Sequence, residues 1–94
     1  MATSDSYAQV AGKIIKEQEA IIGPIALEQA KKVSGLEIVS EDDIKISGDA
    51  KDVLDSLVNR YAKLFGQASI EVCKQAVRSA KTTFSKDDLP AILQ

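Results

Sequence analysis

The chain has no histidine, no tryptophan and one cysteine, Cys73, in 94 residues. Without histidine it lacks the commonest general acid–base group and the usual zinc ligand sets, and it cannot build Ser–His or Cys–His nucleophile pairs. A lone cysteine cannot close a disulfide within the chain. A catalyst made from this sequence would have to use carboxylates, Lys, Tyr or an unassisted Ser, so the composition points away from an enzyme. Two prolines and five glycines leave no room for a flexible linker or a low-complexity region. Tyr7, Tyr61, Phe65 and Phe84 are the only aromatics, so the core must be built from Ile, Leu, Val and Ala.

Long apolar runs are also missing. None approaches the roughly 20 residues that span a bilayer, and the opening "MATSDSYAQV" lacks the basic start and apolar centre of a secretory signal. A cytoplasmic protein with no membrane association is the expectation. The net charge is −2 and the pI about 5.0. Nucleic-acid binders gain affinity from many Lys and Arg contacts to phosphates, so this charge balance argues against one. The length is that of a single domain, 1–94.

What is present is helical spacing. Tyr7, Val10, Ala11, Ile14, Ile15, Ile21 and Ile22 recur at three and four residues, after a capping box of Ser6 and Gln9. Gly23–Pro24 should end this helix and open another carrying Ile25, Ala26, Leu27, Ala30 and Val33, which stops near Ser34–Gly35. Asp49 with Asp52 marks a second N-terminus. Val53, Leu54, Leu57, Val58, Tyr61, Leu64 and Phe65 then form the clearest stripe. After Gly66, Ile70, Cys73, Ala76, Val77 and Ala80 form the next one. Ser85 with Asp88 suggests a short terminal helix near Pro90. The middle, "LEIVSEDDIKISGD", reads two ways: Ile38, Ile44 and Ile46 mark two short extended pieces, or Ser40 with Asp43 caps one helical turn. A loop with one such turn is the preferred reading.

The phrase "IIGPIALEQAKKV" returns as "LFGQASIEVCKQA". Sliding Gly23 onto Gly66 moves every position by 43. Ile14 and Ile15 then fall on Leu57 and Val58, Ile21 and Ile22 on Leu64 and Phe65, and Ala30 and Lys31 on Cys73 and Lys74. "SEDDI" at Ser40 and "SKDDL" at Ser85 match after two further residues. An internal duplication accounts for these matches better than chance. Two units are too few for a solenoid, but two helix pairs can hide each other's apolar stripes about a pseudo-two-fold axis. The expected fold is therefore all-α: a small helical bundle of two pseudo-symmetric helix–Gly–helix units, one over about residues 6–46 and one over about 49–94. A stripe left uncovered would favour a homodimer.

Gly23, Pro24, Ile25 and Ala26, followed by Lys31 and Lys32, resemble the signature of a small GPIA-containing helical module found in bacterial signalling proteins. The match covers about a dozen residues. At Gly66 the echo lacks the proline, with Gln67 and Ala68 in place of Pro-Ile. The resemblance implies a regulatory or scaffolding role and supplies no catalytic residue.

The charged clusters have simpler explanations. Asp42, Asp43, Asp49 and Asp52 crowd together, but Lys45 and Ile46 stand where a calcium loop needs ligands and no closing Glu follows. Helix capping accounts for these aspartates and for Asp87 and Asp88, so no metal or cofactor is expected. Lys31, Lys32, Lys74, Arg78 and Lys81 lie toward helix ends, where the helix dipole favours cations. Cys73 is in line with Ile70 and Val77 and reads as a buried apolar residue. Gly23 and Gly66 either supply a left-handed residue or allow two backbones to approach.

The expected function is that of a non-enzymatic protein–protein interaction module: a regulatory or scaffolding adaptor whose partner is another protein. Ile21, Ile22, Pro24, Leu27, Leu64, Phe65 and Ile70, around the two glycine elbows, are the candidate partner-binding residues. The alternatives are a nucleic-acid-associated homodimer using Lys31, Lys32, Lys74 and Arg78, and a small-ligand carrier with a pocket between the helix pairs.

Overall fold

The computed structural model describes residues 4–40, 43–79, 89–90 and 93. Four helices and one hairpin follow in order: α1 (Ser4–Ile22), α2 (Ile25–Ala30), β1 (Leu36–Ser40), β2 (Asp43–Ile46), α3 (Ala50–Phe65) and α4 (Gln67–Ser79). α1 begins at Ser4, so Ser6 lies inside the helix and is not its cap. The second helix is shorter than its apolar spacing predicts. It ends at Ala30, and the chain continues in turns that still bury Val33.

The middle segment overturns the all-α expectation, including the loop with one helical turn. β1 and β2 pair antiparallel, with Leu36 opposite Ile46, Glu37 opposite Lys45 and Ile38 opposite Ile44. Apolar residues at alternate positions on both strands share one face of the sheet. A hairpin turns that face toward a neighbour, whereas one helical turn would scatter these side chains. Isolated two-stranded hairpins are marginal in water. Here Leu36 is buried, Ile38, Ile44 and Ile46 pack against the core, and β2 lies against α1. The register shifts between Ile38 and Ser40, leaving Val39 exposed. At the open end, the Ser47 amide donates to the Gly35 carbonyl at 2.8 Å. The cap signal at Ser85 and Asp88 lies outside the described residues.

Asp49 caps α3, its Oδ1 accepting from the amides of Lys51 and Asp52 at 3.0 and 3.2 Å. Val10, Ala11, Ile14 and Ile15 of α1 meet Leu54, Leu57, Val58 and Tyr61 of α3 and Cys73 and Ala76 of α4 in one buried cluster. Each buried Ile or Leu contributes about 1.5–3 kcal/mol. Positions 43 apart share their fate. Ile14, Ile15, Leu57 and Val58 are all fully buried, as are Ala30 and Cys73, while Ile22 and Phe65 are half-buried.

The elbows repeat as well. The Gly23 amide donates to the Glu19 carbonyl and the Gly66 amide to the Ala62 carbonyl. Both glycines have positive φ, 78° and 90°. A Cβ at either would meet nothing within 4 Å, so conformation and not close approach selects glycine there. Gly35 differs, because a Cβ there would lie 2.8 Å from Val53 Cγ2 and 2.9 Å from the Ser47 carbonyl oxygen. Gly66→Ala should cost about 1–3 kcal/mol from its backbone angles alone, because φ 90° with ψ −173° is a region open almost only to glycine. Gly35→Ala adds a clash and should cost more. Urea denaturation of the two variants checks this order, and equal losses would contradict it.

Candidate functional site

The site is built around two buried polar side chains at matching places in the two helix pairs. Gln18, on the last turns of α1, is sealed from solvent, and its Nε2 donates to the Ser69 carbonyl at 3.0 Å and to Cys73 Sγ at 3.4 Å. Tyr61, 43 positions later on α3, is equally buried and its hydroxyl donates to the Ala26 carbonyl at 2.6 Å. Ser69 and Ala26 are themselves 43 positions apart. Each first helix thus reaches across to the carbonyl three residues beyond the other pair's elbow glycine. The two bonds are related by the same shift of 43 positions. Each carbonyl lies inside a helix and takes this side-chain donor as a further partner, a bond that contributes about 0.5–1.5 kcal/mol, so the pair of bonds holds one elbow against the other.

Because their inner sides are engaged in this way, the elbows can present only their outer sides to a partner. Ile21 is 65% exposed and Leu64 is 50% exposed, at equivalent positions one turn beyond Gln18 and Tyr61. Pro24, three residues after Ile21, is exposed as well. Ile22, Leu27, Phe65 and Ile70 are only half-buried, but they pack against the core and anchor the elbows. The seven candidate residues therefore divide into an outer set and an inner set. Ile25, 39% exposed, and Val39, 68% exposed, are further apolar surface residues that helical spacing alone did not single out. Gln18 was also missed. Its signal was a polar residue at the place where the shift of 43 puts a tyrosine of the apolar stripe.

The elbow cluster has unusual acidities. Burial pushes the Cys73 thiol up to about 11, against a smaller opposing effect of the Gln18 hydrogen bond. Burial also raises the Tyr61 hydroxyl, helped by the nearby Cys73 and Glu19. A thiol held neutral in this way is a packing group, not a nucleophile. Among the described residues, no three His, Cys, Asp or Glu side chains converge as a metal site would require. No helix among them is long and apolar enough to cross a membrane.

On the outer face of α3, a groove of about 380 Å³ is lined by Ser56, Asn59, Arg60, Lys63 and Leu64. The Arg60 Nε donates to Gln29 Oε1 at 3.0 Å, tying α2 to α3 beside it. Comparison of the chain with family models, curated proteins and solved structures finds no match.

Two outcomes follow from the elbow chemistry. Tyr61→Phe should lower stability by about 1 kcal/mol, because the buried hydrogen bond from its hydroxyl to the Ala26 carbonyl is lost. Unchanged denaturation midpoints would show that water or another group replaces it. Both Cys73 and Tyr61 have raised folded-state values, so the fold favours their neutral forms. The thiol's contribution is complete below its unfolded value of 9.0 and is lost as pH rises toward 11, while that of Tyr61 begins to fall only above its own unfolded value of 10.0. Stability measured between pH 8 and pH 11 (on the order of the range these shifts span) should fall, and Cys73→Ala should flatten the thiol's part of that fall.

Proposed function

We propose that the chain is a non-enzymatic interaction module, a small regulatory or scaffolding adaptor in the cytoplasm that binds another protein through the outer side of its elbows. One observation carries this reading. Ile21 and Leu64, equivalent residues of the two helix pairs, both stand largely in solvent beside an elbow whose inner side is locked. A large aliphatic side chain left in water gives up about 1.5–3 kcal/mol that a docking partner recovers, and rigid elements present such groups at low ordering cost. The resemblance of Gly23–Ala26 to a helical module of signalling proteins supports a regulatory partner. The absence of histidine from the sequence supports a role without catalysis.

The same surface can also pair two copies of the chain, and molar mass separates the two cases. Ile21→Asp changes an exposed position, so stability should stay within about 0.5 kcal/mol of the parent. Affinity capture from the native cell, combined with light scattering, should show a retained protein that the variant loses. A doubled mass that falls to the monomer value in Ile21→Asp would assign the surface to homodimerisation. A monomeric parent that retains nothing overturns the adaptor reading.

A further inference from the structure

The two helix pairs serve as each other's control. Where buried positions agree, packing accounts for them. Where equivalent surface positions differ, packing leaves the choice open, and the side chains' own chemistry says what they can offer a partner. The α3 groove is such a place. Its residues Ser56, Arg60 and Lys63 correspond to Lys13, Glu17 and Ala20 of α1. On α1 the charge is settled internally, with Lys13 Nζ 3.3 Å from Glu17 Oε1. On α3 the acid is replaced by Arg60, and a second cation, Lys63, stands three residues on.

No acid occupies a position three or four residues from Arg60 or Lys63 along α3, and among the described residues neither makes an ion pair. Like charges at this spacing repel by about 0.2–0.5 kcal/mol; Lys63 lies in the last turn of α3, where the helix dipole favours a cation, whereas Arg60 stands before that turn. Gln29 corresponds to Val72 in the other pair, so the hydrogen bond that positions the guanidinium also belongs to this side alone. The groove ends at Leu64, the half-exposed aliphatic residue of the elbow surface.

We propose that this groove receives an acidic, apolar-anchored segment of a partner protein, with its carboxylates on Arg60 and Lys63 and an aliphatic side chain on Leu64. The inference rests on the adaptor reading and specifies the chemistry of that partner. Ser56 to Leu64 runs about 12 Å along the helix, and four of its five lining residues are exposed. A peptide matches such an elongated, open shape, whereas a compact anion would reach only part of it. A nucleic acid would meet a chain of net charge −2 and would gain nothing from Leu64. Ser56 and Asn59 add hydrogen-bonding groups along the floor. Asn59 Nδ2 already donates to the Asp55 carbonyl at 2.8 Å, which steadies its amide.

The test uses the full chain and a fluorescein-labelled helical peptide of glutamates with leucine at every third or fourth position, read by fluorescence anisotropy. Saturable binding is expected, and it should weaken roughly fivefold or more in Lys63→Glu and in Leu64→Ser, while Lys31→Glu stays within roughly twofold. Lys63 is exposed and makes no ion pair among the described residues, so its reversal should leave folding intact, as circular dichroism would show. Amide shifts on titration should cluster at residues 56–64 and at Gln29. No saturable binding, equal binding by Lys63→Glu, or tighter binding of a single-stranded oligonucleotide of equal charge would overturn the proposal. A cellular partner lost from Ile21→Asp but kept by Lys63→Glu would remove the groove and leave the adaptor reading in place. A parent chain that retains no cellular partner removes both.

Discussion

Two hydrogen bonds crossing in opposite directions between the helix pairs organise this protein: Gln18 to the Ser69 carbonyl and Tyr61 to the Ala26 carbonyl. Aliphatic contacts supply most of the stabilising free energy, but they are non-directional and tolerate sliding. A buried donor aimed at one carbonyl does not. It sets which turn of one helix faces which elbow of the other, so it sets the register of the whole core. That two chemically different side chains fill equivalent places shows that the requirement is a donor reaching across, not a particular residue.

The surface follows from that constraint. Because the elbows hold each other by their inner sides, Ile22, Leu27, Phe65 and Ile70 go into packing, and Ile21 and Leu64 are left outside. The core keeps the two helix pairs alike, since a change on one side would have to be absorbed by the other at native packing density. Solvent-facing positions carry no such restriction, and there the pairs differ. One face closes its charge through Lys13 and Glu17, and the other leaves Arg60 and Lys63 without an ion pair among the described residues.

Much of the helical content was legible in single residues. The spacing of Leu57, Val58 and Tyr61, the aspartate at position 49 and the glycine at 66 each had a local physical meaning, and each acts locally in the fold. The hairpin was harder to read. Its alternation of Leu36 and Ile38, and of Ile44 and Ile46, was visible, but Ser40 and Asp43 offered a competing cap signal. The two residues between the strands, Glu41 and Asp42, include neither the glycine nor the asparagine that marks a tight turn. What settles the choice is α1, which packs against β2, and no local signal contains that neighbour.

From residue order alone came the apolar stripes, the places where the chain must bend, the shift of 43 between the two phrases, and the removal of histidine-based chemistry. All of these depend on periodicity, on backbone angles or on which functional groups exist, and those are properties of neighbours in the chain. The tertiary structure alone decided that Gln18 and Tyr61 trade bonds across the core, that Gly35 has no room for a side chain, and that Arg60 is steadied by Gln29. Each of these joins groups from 12 to 51 positions apart, and such distances close only once burial of the common core has offset the entropy of bringing them together.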